Sequence, residues 1–477
     1  MSTTKRDNGW YLSSAPIVQA LVHLCVPMAA ALIVTAVYNV INAGFIGSLD
    51  DTRLLAAITF GVPVLTLVLT VGSMFGIGGG ALVARLLGAS ENDPSKAGEI
   101  KHASAFATWG SVLTGVAVGG LGLILLHPLV SLLGADAAAV PATRAYVGVL
   151  LAITPVLAAS VCLQMLLRAE GAARQAMVGT IASAIANLVF DVLFILVLGW
   201  GVAGAALSVG IANAIVIVYY VTWLRRNSKH MRLAPRWFTL RRSISGPVMS
   251  VGVSQLLQVG FVIVTLLVLN NLASTYGDGP VSAMGVAVRI AQIPEFLVMG
   301  ITFGVMPLLA FSFGKGDRTR LNAALRGAAI AVGGISVVFA AAVLLFRDQV
   351  FTFFVADPTV FSIGVTILTA QLVAMVANGF TGLITTLFQS TGRGLAATVM
   401  SMTQGLLFIP VVLLANLWFG LPGLIWALTV TEGALLVVGL LMWLANRGAI
   451  ERGLAEAGQA PVVEESEVPA AEELEQV

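Results

Sequence analysis

A chain of 477 residues that is 58% hydrophobic and only 10% charged, with a mean hydropathy of +0.97, is not a soluble globular protein, in which about a quarter of residues carry charge. It reads as a polytopic membrane protein. The net charge of +2 decides little, because charge in such a chain is segregated by side of the membrane.

Two cysteines, Cys25 and Cys162, lie inside apolar runs and suggest neither a disulfide framework nor a metal site. The four histidines, His23, His102, His127 and His230, show no ligand spacing. Lys5 and Arg6 precede an apolar run that continues from Ile17 to Ile46. That is longer than the roughly 7–15 residues of a signal-peptide core, so it reads as an uncleaved first span.

Twelve apolar segments are each long enough for the ~20 residues a membrane span needs. They are predicted at 16–47, 54–86, 103–126, 138–168, 174–198 and 202–224 in the first half, and at 246–272, 281–313, 323–346, 359–389, 395–418 and 421–446 in the second. Placing the N-terminus in the cytoplasm puts 21 of the 25 Lys and Arg residues at the termini and in the even loops; Arg53, Arg144 and Arg347 fall outside and Arg289 within a span. This asymmetry supports an even number of spans with both termini inside.

The most basic loop, Arg225–Arg242, divides two similar halves and reads as a linker anchored on anionic headgroups. LLRAEGAARQAMV (Leu166–Val178) is similar to LFQSTGRGLAATV (Leu387–Val399), with Gly171 opposite Gly392. GWGVAGAAL is similar to WFGLPGLIW, with Gly201 and Gly204 opposite Gly420 and Gly423. LLGASENDPSKA is similar to SFGKGDRTRLNA, with Gly88 opposite Gly314. Three matches in one order imply a duplicated six-helix unit with parallel topology. The fold class is therefore an all-α polytopic membrane protein, with twelve transmembrane helices in two pseudo-symmetric six-helix bundles. The N-lobe is expected over 1–232, the C-lobe over 233–450, and a disordered acidic cytoplasmic tail over 451–477.

The run Gly72–Gly88 contains G-x-G-x-x-A, but inside an apolar helix with no preceding strand. It reads as close helix packing, not nucleotide binding. No ATP-binding motif points to primary active transport, and no cofactor or nucleic-acid partner is expected.

Charge inside the spans carries the functional signal, since an acid at membrane depth costs roughly 2.5–3.5 kcal/mol and survives where it faces protein, water or an ion. Asp191 lies in a long apolar run with Asn187 one turn before it on the same face. Asn39 and Asn42 in span 1, and Ser208 and Asn213 in span 6, are its expected company. The set can hold a proton or a sodium ion, or form a hydrogen-bonded plug between helices. Glu295 and Glu432 are the other in-span acids; Pro294 could bend span 8 enough to let Arg289 meet Glu295. A lobe-packing role is expected for Glu432 where spans 11 and 12 meet.

LLRAEGAARQAM, followed by IANLVFD and GVAGAALS, resembles the multidrug and toxic compound extrusion (MATE) family, as do PVMSVGVSQLL, FGVMPLLAFSFG and FQSTGRG. The resemblance covers Pro16–Arg447 and is to bacterial members that keep their principal acid in the N-lobe. It implies a V-shaped pair of lobes, not an enzyme, in the bacterial plasma membrane, exporting organic, cationic compounds as a monomer against inward H⁺, or alternatively Na⁺. Asp191 and Asn187 would form the cation-coupling site. YNVIN puts Asn42 where the family commonly has an acid, and the hydroxyl position of span 6 falls at Val209, beside Ser208. Ser254, Gln255 and Gln258 replace the span 7 acid of other branches. These departures favour proton coupling at Asp191. The substrate wall is expected from Tyr38, Gln164, Phe190, Gln258, Met284, Arg289, Gln292, Glu295, Met299 and Gln404. A flippase for a lipid-linked precursor is the alternative, disfavoured by the single in-span base.

Overall fold

The computed structural model describes residues 8–47, 52–133, 139–346, 349 and 358–459. Among the described residues, eleven helices are long and apolar enough to cross a membrane, and a bent pair supplies the twelfth. A short helix α1 (Asn8–Ser13) precedes α2 (Ile17–Gly47), α3 (Thr52–Ala89), α4 (Ala97–Ile124) and the short α5 (Leu126–Leu132). The fourth span is α6 (Val140–Ala152) and α7 (Thr154–Ala169), and the fifth is α8 (Ala173–Asp191), prolonged by a π-helical segment Val192–Val197. α9 (Gly201–Asn227) closes the N-lobe. The C-lobe holds α10 (Arg242–Ser274), α11 (Asp278–Lys315), α12 (Arg318–Leu345), α13 (Pro358–Ser390), α14 (Gly394–Phe419) and α15 (Leu421–Gly458). Among the described residues there is no strand.

The break in the fourth span has a local cause. Pro155 has no N–H to give the Leu151 carbonyl, and the two pieces meet at 52° around Ile153. Gly119 of α4 packs directly onto the freed Leu151 carbonyl. α15 runs to Gly458, about 57 Å of helix at 1.5 Å per residue. Residues 451–458, expected as the start of a disordered tail, are thus helical, with Glu451 bridging Arg318 at 2.7 Å and Arg447 at 3.1 Å. The remainder of that tail lies outside the described residues.

The repeat is visible in the backbone. Gly171 and Gly392, opposite each other in sequence, both take φ in the left-handed region, at +81° and +74°, where they end α7 and α13. Gly88 and Gly314 both lie where two lobes touch: Gly88 rests on the Phe311 carbonyl and Gly314 on the Arg85 carbonyl, with no room for a Cβ at either.

The lobes interlock at the end that carries the basic loops. Leu12, Leu24 and Cys25 of the first two helices share a buried cluster with Val305, Leu308 and Leu321 of the C-lobe. Reciprocally, Ile244 and Val248 of α10 are buried with Met74, Val83 and Leu166 of the N-lobe. Polar ties reinforce the junction. Asn92 donates to the Lys315 carbonyl at 2.8 Å and the Ala457 carbonyl at 3.1 Å, and Lys315 pairs with Glu91. Arg320 of α12 donates to the carbonyls of Leu12, Ala15 and Tyr11 at 2.7, 2.8 and 2.9 Å. One guanidinium thereby satisfies two open C-terminal carbonyls of α1 and that of Ala15 just beyond it.

Candidate functional site

Asp191 is the last α-helical residue of α8, and the π-helical turn begins immediately after it. Widened turns of this kind recur at functional sites because they re-aim side chains without ending the helix. Across it Phe190, Phe194 and Trp200 stack in series, with ring centroids 5.6 and 5.1 Å apart, spanning the widened turn.

Asp191 is 1% exposed. Both its carboxylate oxygens have donors. The Ser208 hydroxyl, across on α9, donates to Oδ1. The Asn187 amide, one turn back on α8, is oriented by its neighbours. Its nitrogen donates to Asp191 Oδ2 at 2.7 Å and to the Tyr38 hydroxyl, and its oxygen accepts from the Val209 backbone N–H at 2.9 Å. Tyr38 belongs to α2, so a polar chain Tyr38–Asn187–Asp191–Ser208 links three helices. Asn187 at 4% and Ser208 at 0% exposure are as buried as the acid. Tyr146 of α6, buried against Gly61, lies within reach of the Asp191 charge.

Two expectations change here. Ser208 supplies the hydroxyl that sequence register assigned to Val209; Val209 contributes its backbone N–H instead. Tyr38, expected in the substrate wall, is part of the acid's network. Asn39 is exposed and Asn42 is half-buried with its Oδ1 unpartnered; neither bonds to Asp191 in this structure. Asn213 donates back to the Val209 carbonyl of its own helix at 2.9 Å.

The MatE family model matches residues 27–193 and 251–414, spanning both lobes and the acid. The chain belongs to the MatE family of multidrug efflux transporters. Multidrug export protein MepA of Staphylococcus aureus (strain NCTC 8325 / PS 47) is 29% identical over 442 residues, 92% of this chain and 97% of that protein. MepA of Staphylococcus haemolyticus (strain JCSC1435) is 28% identical over 450 residues, 94% and 98% of the two chains. A crystal structure of a MATE protein in a bent conformation superposes with a TM-score of 0.86 at 23% identity, covering 95% of this chain and all of that one. An outward-facing multidrug resistance MATE transporter superposes at 0.84 with 22% identity and the same coverage.

The remaining candidates of this MatE chain fall into separate places. Gln164 donates to the Thr180 hydroxyl at 2.5 Å, inside the N-lobe, where Thr180 donates to the Ala176 carbonyl at 3.1 Å. Met284 packs within the C-lobe against the cluster of Leu269 and Phe408, lining a small cavity with Ile367 and Gln371 rather than a wall between lobes. Arg289, Gln292 and Glu295 are exposed along α11, Gln258 and Met299 are half-buried, and Arg289 makes no ion pair with Glu295. An exposed charge along a span requires water beside it. Gln404 of α14 donates to Glu432 of α15 at 2.9 Å, so these two belong to a contact inside the C-lobe. Sequence reasoning passed over Tyr146; a lone tyrosine in an apolar run was its only signal.

Proposed function

We propose that this transporter is an antiporter that exports lipophilic organic cations in exchange for inward-moving protons. The observation that carries this reading is the sealed pocket in which Asp191 accepts from Ser208 and Asn187 while the same amide holds Tyr38 of α2. A proton and a drug can drive each other when they favour different states of one bistable element. Here the acid and the first span share a hydrogen-bonded chain, so neutralising Asp191 changes what holds α2 in place.

The pocket suits a proton better than a sodium ion. Ser208 Oγ lies 2.8 Å from the Ala205 carbonyl as well as against the acid. With Asp191 charged, the hydroxyl donates to it. With Asp191 protonated, the hydroxyl accepts the acid's proton and donates to Ala205. Both states keep the carboxyl and the Ser208 hydroxyl satisfied. A sodium ion would need several oxygens free of donors, whereas the Asn187 oxygen already accepts from Val209.

In the transport cycle, the state described here has its lobes locked at the basic-loop end, which the distribution of Lys and Arg assigns to the cytoplasm. It is thus the outward-open state. A proton enters from outside and neutralises Asp191. α2 repacks, and a cation resting on the exposed face of α11 leaves. Inward opening then breaks the Arg320 and Asn92 ties, releases the proton and admits new substrate. MepA, the named relative, is a multidrug export protein, which supports small organic substrates over a lipid-linked precursor.

Inverted membrane vesicles test the reading. A fluorescent lipophilic cation should accumulate when the interior is acidified and leak out when nigericin collapses the pH difference. Accumulation that ignores the pH difference but follows an imposed sodium gradient would overturn proton exchange.

A further inference from the structure

The N-lobe acid has no counterpart at its own position in the C-lobe, because the repeat places Pro410 there. The C-lobe nevertheless carries a buried carboxyl on the partner helix of the same pair. α8 and α9 are the repeat mates of α14 and α15, in the register set by Gly201 with Gly420 and Gly204 with Gly423. In that register Glu432 falls opposite Asn213 of α9. Asp191 meets Ser208, seven residues past Gly201 on α9, and Glu432 lies twelve past Gly420 on α15, about 10 and 18 Å of helix from equivalent turns. Each lobe therefore buries one carboxyl, Glu432 lying farther from its turn than Asp191 does.

Glu432 is 2% exposed. Its Oε1 accepts from Gln404 Nε2 at 2.9 Å, and its Oε2 is shut from solvent with no partner. A carboxylate with one oxygen left bare in apolar surroundings is costly, whereas a carboxylic acid can carry its proton on that oxygen. Among the described residues no cation pairs with it. Of the helices packed against α15, α10, α13 and α14 bring no ionisable side chain to its depth; α11 brings Glu295, whose charge acts on Glu432, and the exposed Arg289. The charged groups of α15 itself, Arg447, Glu451, Arg452 and Glu456, are at its far end. Glu295 is exposed on α11 and so links the buried acid to the water beside that helix.

We propose that Glu432, held by Gln404 and reached past Glu295, is a second proton-binding site, so that the transporter binds one proton in each lobe. The inference deepens the proton-exchange reading: with both sites coupled, two protons enter per exported molecule.

Two measurements on the full-length protein in a bilayer test it. Infrared difference spectra between acid and alkaline pH should show two protonated-carboxyl bands, one lost in Asp191→Asn and the other in Glu432→Gln. A spectrum unchanged by Glu432→Gln overturns the proposal. Should that variant fold poorly, Gln404→Leu keeps the carboxyl and removes its only donor; it should move the second band, and an unmoved band again overturns the site. If Asp191→Asn removes no band while Glu432→Gln does, it is the Asp191 reading that fails. For stoichiometry, proteoliposomes held at zero membrane potential with a one-unit pH difference should balance about a hundredfold gradient of a monovalent drug cation in the wild type and about tenfold in Glu432→Gln. A wild-type balance near tenfold would contradict coupling through both acids.

Discussion

Asp191 works through what its neighbours can do in both of its charge states. Ser208 is the group that changes partner, so Ser208→Ala should leave Oδ1 bare at a cost of about 1–3 kcal/mol and slow pH-driven efflux by roughly tenfold. Efflux in Ser208→Ala proteoliposomes at the wild-type rate would contradict that role. Asn42 gives a complementary test: it lies one turn beyond Tyr38 on α2 with an unpartnered oxygen. Asn42→Asp should raise sodium sensitivity; efflux flat across a sodium titration would count against a pocket short of one acid. At this scale the sequence was half legible. An acid and an amide four residues apart in an apolar run announce a shared face. Which residue of another helix meets them is a matter of tilt and rotation. That is why Ser208 was named as company for the acid while the hydroxyl position was set at Val209, Tyr38 was placed in the substrate wall and Tyr146 went unseen.

Among the elements, the spans were legible because length and hydropathy decide them. The bend at Ile153 falls inside the single span predicted at 138–168, since Pro155 breaks its helix where Pro27, Pro63, Pro247 and Pro410 do not break theirs; the π-helical turn after Asp191 had no counterpart in the pattern of residues, since it depends on how α8 seats against α9. The π-helical turn directly follows the acid, and the bend lies two turns past Tyr146 on the same span. α1 is the other element with a specific task. Its carbonyls are held by Arg320 from the opposite lobe, a set of charge-assisted hydrogen bonds of about 1.5–3 kcal/mol each. Arg320→Ala should speed hydrogen exchange across residues 8–15 and raise the share of inward-open molecules. Exchange rates equal to wild type there would show that α1 is held by its apolar packing alone.

The whole molecule is two copies of one unit that clasp each other at one end. The first helix of each half packs on the other half, and reciprocal glycines let backbones touch. Gly88→Val and Gly314→Val should therefore act alike, each forcing the basic-loop ends apart, and spin-label distances across that end should lengthen in both. A change in one but not the other would mean that the clasp is not symmetric in energy. The repeat also frames the acids: duplicated helices carry carboxyls that are not duplicates of each other, and each lobe has found its own way to bury one.

The central claim is that proton binding at Asp191 drives export. Proteoliposomes with purified protein, an imposed pH difference and a fluorescent cation test it most directly, comparing wild type with Asp191→Asn of matched folding. The account predicts wild-type efflux that follows the pH difference and none above background in Asp191→Asn. Efflux in the variant at the wild-type rate would contradict it.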